Sequence, residues 1–183
     1  MVSLQGAAAA LSFLGLLLQL LALVTPHWAG VGTHEFETSV GLWTLCMGRT
    51  CTRLPPGRAT FELAKGLLTV SAILSFVAVS SILTSCCRLP RFKVGAVANT
   101  LTGLIGLSGL AMLGVTVSPL PNTFHPSVRP QLDWSFFAAL TGSLAQLLSG
   151  LFCLITYLSS PQTPLTTDST AGPDATPWPG SPS

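Results

Sequence analysis

The stretch GLWTLCMGRTC, residues Gly41 to Cys51, places a tryptophan beside two of the chain's five cysteines. It lies in a polar segment between two long apolar runs. Cys46 and Cys51 enclose Met-Gly-Arg-Thr, which has the length and the glycine of a β-hairpin loop. Cysteines that face each other across antiparallel strands have about the Cβ separation that a disulfide requires. This arrangement favours a disulfide-closed hairpin.

A structural zinc site is the competing interpretation, with His27 or His34 joining Cys46 and Cys51 as ligands. Structural zinc sites usually combine one close pair of ligands with a second close pair, whereas these histidines are scattered. The spacing is also not the C-x-x-C of thiol redox proteins. The disulfide is therefore favoured, and closing so short a loop stabilises it by about 2 kcal/mol in the chain-entropy model.

Charged residues are scarce in the chain as a whole: 8% of its 183 residues are charged, whereas 49% are hydrophobic. A soluble protein carries about 25% charged residues. Four runs without Asp, Glu, Lys or Arg each hold the roughly 20 apolar residues that cross a bilayer as a helix. We therefore predict an all-α membrane protein whose four transmembrane helices cover about 5–25, 64–85, 95–117 and 135–158.

The first span could instead be a cleaved signal peptide. A signal peptide has a basic start and an apolar core of about 7–15 residues. No Lys or Arg precedes Arg49, and the apolar run is longer than such a core. We therefore expect the first span to remain as a transmembrane helix.

The loop between the second and third spans carries Arg88, Arg91 and Lys93 with no acidic residue. Such a loop is expected on the cytoplasmic side. The segment with the cysteine pair then faces an oxidising compartment, where disulfides form. We predict a plasma-membrane protein with both termini in the cytoplasm.

The spans contain few strongly polar side chains apart from hydroxyls, namely the neutral amides Gln19, Asn99 and Gln146. We expect these amides to bond between helices rather than to serve transport. Small residues that let helices approach closely recur in the third and fourth spans. This pattern predicts either a compact bundle or association with copies and other membrane proteins.

Two pairs of residues at the ends of the second span are further candidates. Lys65 follows Glu62 by three residues, so the two share a helix face. This spacing predicts an ion pair, or a contact of Lys65 with lipid phosphate, at the membrane interface. Cys86 and Cys87 follow the span directly. They are either candidates for S-palmitoylation or two unmodified thiols.

Residues 159–183 are rich in proline and hydroxyl side chains, which predicts a disordered cytoplasmic tail. The tail ends Gly-Ser-Pro-Ser, without the hydrophobic terminus of a PDZ-domain ligand. No motif of a hydrolase, a P-loop or a metalloprotease occurs. We expect no enzyme activity, no cofactor, no metal and no nucleic-acid partner, with membrane lipids and membrane proteins as the contacts.

Over residues 1–158 the chain resembles the superfamily of claudins, peripheral myelin protein and epithelial membrane proteins. The resemblance rests on the four spans and on the residues between the first two of them: Trp28, Gly41-Leu42-Trp43, Cys46 and Cys51. The resemblance implies a left-handed four-helix bundle carrying a small extracellular antiparallel β-sheet with the disulfide. It also implies that Trp43 inserts into the outer end of the bundle and anchors the sheet. Lys65 or Arg58 would be the basic residue near the end of this loop.

The chain differs from true claudins in its close cysteine spacing, its short first loop and the absence of a PDZ ligand. In these features it is more similar to lens-fibre intrinsic membrane protein and claudin-domain relatives. The resemblance therefore implies a structural, adhesive or junction-organising role. An accessory, gamma-like subunit of a channel or receptor is the alternative. A paracellular pore is the third hypothesis.

Overall fold

The computed structural model describes residues 2–33, 36–85, 92–117 and 131–159. Four long helices lie in this part of the chain: α1 Val2–Val24, α2 Ala59–Ser85, α3 Phe92–Val117 and α4 Trp134–Ser159. Each contains a segment long and apolar enough to cross a membrane. The chain is therefore a tetraspan membrane protein, as predicted, although α2 begins at Ala59, ahead of the predicted residue 64.

Local sequence explains where the helices end and begin at the side of the bundle that carries the sheet. Pro26 follows the last turn of α1, and the Thr25 hydroxyl donates to the Leu21 carbonyl oxygen at 2.8 Å. Asp133 precedes α4, and its Oδ1 accepts from the Trp134 backbone N–H at 2.7 Å. A carboxylate there caps the first turn and complements the helix dipole.

The helices form a ring in which α1 packs against α2 and α4, and α3 also packs against α2 and α4. The backbones of α1 and α4 approach closely where Gly15 meets Gly142. A Cβ added to Gly15 would lie 2.9 Å from the Gly142 carbonyl oxygen, and one added to Gly142 would lie 3.0 Å from the Gly15 oxygen. These two glycines therefore set the distance between α1 and α4.

Polar side chains bond between helices in the interior of the bundle. Ser12 Oγ donates to Asn99 Oδ1 at 2.8 Å, which joins α1 to α3. Gln146 Nε2 donates to the Ser12 carbonyl oxygen at 3.0 Å and to Ser75 Oγ, which joins α4 to α1 and α2. The prediction that neutral amides bond between helices is confirmed. Inside a bilayer such groups have no bulk water to bond to.

A five-stranded antiparallel sheet covers one end of the bundle. Its strands are β1 Ala29–Thr33, β2 Phe36–Val40, β3 Thr44–Met47, β4 Thr50–Arg53 and β5 Gln131–Leu132. The order is β4-β3-β2-β1-β5. The predicted sheet from the first loop is confirmed, and the second loop adds a strand that sequence analysis did not find. Two residues are too short to show a strand's alternating pattern.

We predict that Gly15→Ala lowers the free energy of unfolding by about 1–3 kcal/mol, because the new methyl group meets backbone that can move only if α1 and α4 separate. Gly66→Ala is the matched control, since a Cβ at Gly66 has no heavy atom within 4 Å. Thermal unfolding of both variants in detergent measures the difference. Equal stability of the two variants would contradict the close contact of α1 with α4.

Candidate functional site: the sheet and its anchor in the helix bundle

The β3–β4 hairpin holds the predicted disulfide, which is confirmed. Cys46 lies directly opposite Cys51 in the strand register, with their Cα atoms 4.1 Å apart. The turn places Gly48 at a φ of 58° in its first central position, as a type II′ turn requires. Because both cysteines are joined, neither is free to bind zinc. No cluster of three or more potential metal ligands occurs in the described ranges.

Leu42 extends from the tight connection between β2 and β3 into the bundle, where it is 1% exposed. The Gly41 N–H closes this connection by donating to the Thr44 carbonyl oxygen at 2.7 Å. A Cβ at Gly41 would lie 2.7 Å from Pro26 Cα, so only glycine fits there. Leu42 packs in one cluster with residues from all four helices: Ala22, Ala64, Leu68, Leu110, Leu113 and Ala139.

Trp28 is the second side chain that joins the sheet to the bundle. It belongs to the same cluster as Leu42 and is 3% exposed. Its indole N–H donates to the Ala22 carbonyl oxygen at 2.7 Å, which pairs one of the orphan carbonyls at the end of α1. Its backbone N–H donates to Val40 of β2, and its carbonyl oxygen accepts from Asp133, at 3.1 Å each. Trp28 therefore links α1 and the sheet.

The expectation that Trp43 inserts into the bundle is wrong, because Trp43 is 46% exposed. Leu42 and Trp43 are adjacent residues in the three-residue connection between β2 and β3, and only Leu42 enters the core. Trp43 lies on the outside, where its ring is 5.7 Å from Lys65 Nζ. Of the predicted motif residues, Leu42 and Trp28 are the apolar side chains that enter the bundle.

Lys65 is buried beside the sheet in the first turns of α2, with 6% of its surface exposed. Its Nζ lies 2.9 Å from Glu62 Oε1 and 4.7 Å from the centre of the Phe61 ring. Glu62 Oε1 also accepts from the Gly57 backbone N–H at 3.1 Å. One carboxylate and two aromatic rings thus compensate the buried ammonium group, and Glu62 also fixes the chain that enters α2.

Lys65, rather than Arg58, is the basic residue at the junction of sheet and bundle. Arg58 is exposed, and its carbonyl oxygen accepts from the N–H groups of Phe61 and Glu62 at the start of α2. Of the two alternatives for Lys65, the ion pair with Glu62 is present. The lipid-phosphate contact stays a prediction. Cys86 and Cys87, the candidates for palmitoylation, lie outside the described residues.

Contacts beside β5 close the sheet end of the bundle between α1 and α4. In the pairing of β1 with β5, Ala29 lies opposite Leu132. Asp133 Oδ2 lies 3.7 Å from His27 Nδ1, and the His27 ring is 6.1 Å from that of Trp134. These contacts join β5 and the start of α4 to β1 and to the residues that follow α1.

Comparison with known proteins agrees with this architecture. The chain is 22% identical over 164 residues to lens fiber membrane intrinsic protein of Homo sapiens, which covers 86% of this chain and 93% of the relative. It is similar to lens fiber membrane intrinsic protein. The proteins of that name from Rattus norvegicus and Mus musculus are each 26% identical over 166 residues, with the same coverage. No family model matches the chain. The predicted resemblance is confirmed.

We predict that Leu42→Ala lowers the free energy of unfolding by about 2–5 kcal/mol, because it leaves a cavity among all four helices. Trp43→Ala removes a larger side chain, yet we expect a smaller loss of about 2 kcal/mol or less, since that ring is half exposed and its described contact is with the Lys65 ammonium group. Thermal unfolding of both variants in detergent compares the two. A larger loss of unfolding free energy for Trp43→Ala than for Leu42→Ala would show that Trp43 is the anchor.

Proposed function

We propose that this tetraspan protein has a structural or adhesive, junction-organising role in the plasma membrane, with its sheet outside the cell. Two features support this orientation. The Cys46–Cys51 disulfide requires an oxidising compartment on the sheet side. Arg88 and Arg91 lie between α2 and α3, and Lys93 is the second residue of α3; such a basic segment without an acidic residue is typical of a cytoplasmic loop. Both termini are then cytoplasmic.

The observation that carries the proposed role is that the sheet is fixed to the bundle, while β4 at its edge is exposed. Leu42 and Trp28 hold one part of the sheet in the bundle. At the other edge, all four residues of β4 are exposed. A surface that is already ordered loses little conformational entropy when it binds a partner. The geometry therefore suits contact with another membrane protein or a second copy.

The exposed surface near β4 combines apolar and basic groups. Trp43 is 46% and Met47 57% exposed, and Arg49 and Arg53 are exposed beside them. Aromatic side chains, methionine and arginine are enriched in protein interfaces. The outer hydrogen-bonding edge of β4 is unpaired among the described strands, and such edges can pair with another chain.

The proposed orientation predicts the labelling of Cys46 and Cys51 on intact cells. A membrane-impermeant thiol reagent should not label them before reduction and should label both after an impermeant reductant is added. The Cys46→Ala/Cys51→Ala variant supplies the background from the other three cysteines. Labelling without reduction would contradict the disulfide, and labelling only after permeabilisation would contradict the orientation.

The adhesive role predicts that non-adherent cells expressing the protein cluster and enrich it at their contacts. Arg53→Glu should weaken clustering, because it reverses a charge on the exposed edge strand β4. Arg58→Glu makes the same charge change just before α2 and should leave clustering unchanged. Surface amounts of each variant must be matched by labelling. Absence of both clustering and contact enrichment for the unsubstituted protein would contradict adhesion. Stoichiometric co-purification with a channel or receptor would then favour the accessory role.

A further inference from the structure

A small polar cavity lies beneath Trp28 inside the bundle. Its volume is about 10 Å³, which is enough for one water molecule. Residues from α1, α2 and α4 line it together with Trp28: Gln19, Leu23, Leu68, Ser71, Ala139 and Ser143. Three of these side chains are polar, although the cavity lies in a helix bundle that crosses a membrane.

Gln19 is the polar side chain whose bonding is incomplete. It is 5% exposed, and its Nε2 donates to Ser71 Oγ at 3.2 Å and to Ser143 Oγ at 3.5 Å. Its Oε1 is buried and has no hydrogen-bond partner in the described part of the chain. A buried polar atom of this kind normally has a partner, either from the protein or from an ordered water molecule.

The two serines determine what kind of group can bind in the cavity. Ser71 Oγ donates its proton to the Thr102 carbonyl oxygen, and Ser143 Oγ donates to the Ala139 carbonyl oxygen, each at 2.9 Å. Both hydroxyls are therefore acceptors toward Gln19, so the amide must turn its NH₂ group to them. Each hydroxyl oxygen still has a second lone pair. The polar atoms left to a ligand are thus acceptors.

We propose that this cavity binds one water molecule, which donates one hydrogen to Gln19 Oε1 and the other to Ser71 Oγ or Ser143 Oγ. Water fits because it is small and has two donors for these acceptors. A Ca²⁺ or Mg²⁺ ion does not fit, because it needs about six or more oxygen ligands. The cavity offers three side-chain oxygens and no carboxylate.

The bound water completes the hydrogen bonding between helices directly below the sheet anchor. Gln19 lies on α1, Ser71 on α2 and Ser143 on α4, so a water that donates to Gln19 and to one of the two serines joins α1 to α2 or to α4. Water-mediated hydrogen bonds of this kind approach direct ones in enthalpy. The water therefore stabilises the helix packing that lines the cavity beneath Trp28.

Nuclear Overhauser transfer from water to side-chain amides, measured on the full chain in lipid nanodiscs, tests this proposal. The Gln19 NH₂ protons should show a water cross-peak whose sign distinguishes proximity from chemical exchange. Gln146 is the matched control, because it is equally buried and its Oε1 accepts from Ser12 Oγ at 3.3 Å. Its NH₂ group should show no such peak.

A cross-peak no stronger at Gln19 than at Gln146 would overturn the proposal. Ala139→Val provides the second arm, since its added methyl groups enter the cavity and should abolish the Gln19 cross-peak while the Gln146 signals persist. A Gln19 cross-peak that survives in folded Ala139→Val would place the water elsewhere and also contradict the proposal. If that variant does not fold, the comparison of Gln19 with Gln146 in the unsubstituted protein decides.

Discussion

The packing of Trp28 and Leu42 into one end of the helix bundle is the interaction on which the rest of the structure depends. Full burial of a large apolar side chain contributes about 1.5–3 kcal/mol, and a net hydrogen bond such as that of the Trp28 indole about 0.5–1.5 kcal/mol. The disulfide contributes about 2 kcal/mol, but it only joins β3 to β4. The two anchors thus attach the sheet, and the disulfide keeps the hairpin rigid once attached.

The interior of the bundle follows the requirement that a membrane imposes on polar groups. Because no bulk water is available there, hydroxyl and amide side chains find partners on neighbouring helices, as Ser12 does with Asn99. Gly15 and Gly142 let the backbones of α1 and α4 approach closely. The same requirement means that Gln19 Oε1, which is buried without a partner among the described residues, needs a donor.

Sequence reasoning found the four spans, the hairpin and the region of the anchor, because apolar length and cysteine spacing are local features of the chain. The resemblance to the claudin superfamily implied Trp43 as the anchor, but only the fold shows which of two adjacent residues points inward. Sequence reasoning missed β5, since two residues carry no pattern. It predicted the ion pair of Lys65 with Glu62 but not the burial of Lys65 against two aromatic rings, which are brought together only in the fold.

Hydrogen exchange of the whole protein in lipid nanodiscs tests most directly whether the sheet is fixed to the bundle. The backbone N–H groups of Trp28, Gly41 and Leu54 bond to Val40, Thr44 and Trp43 in the sheet. We expect these amides to exchange as slowly as those in the middle of α4, because the sheet opens only when the anchors leave the bundle. Fast exchange of these amides, with the helices still protected, would contradict it.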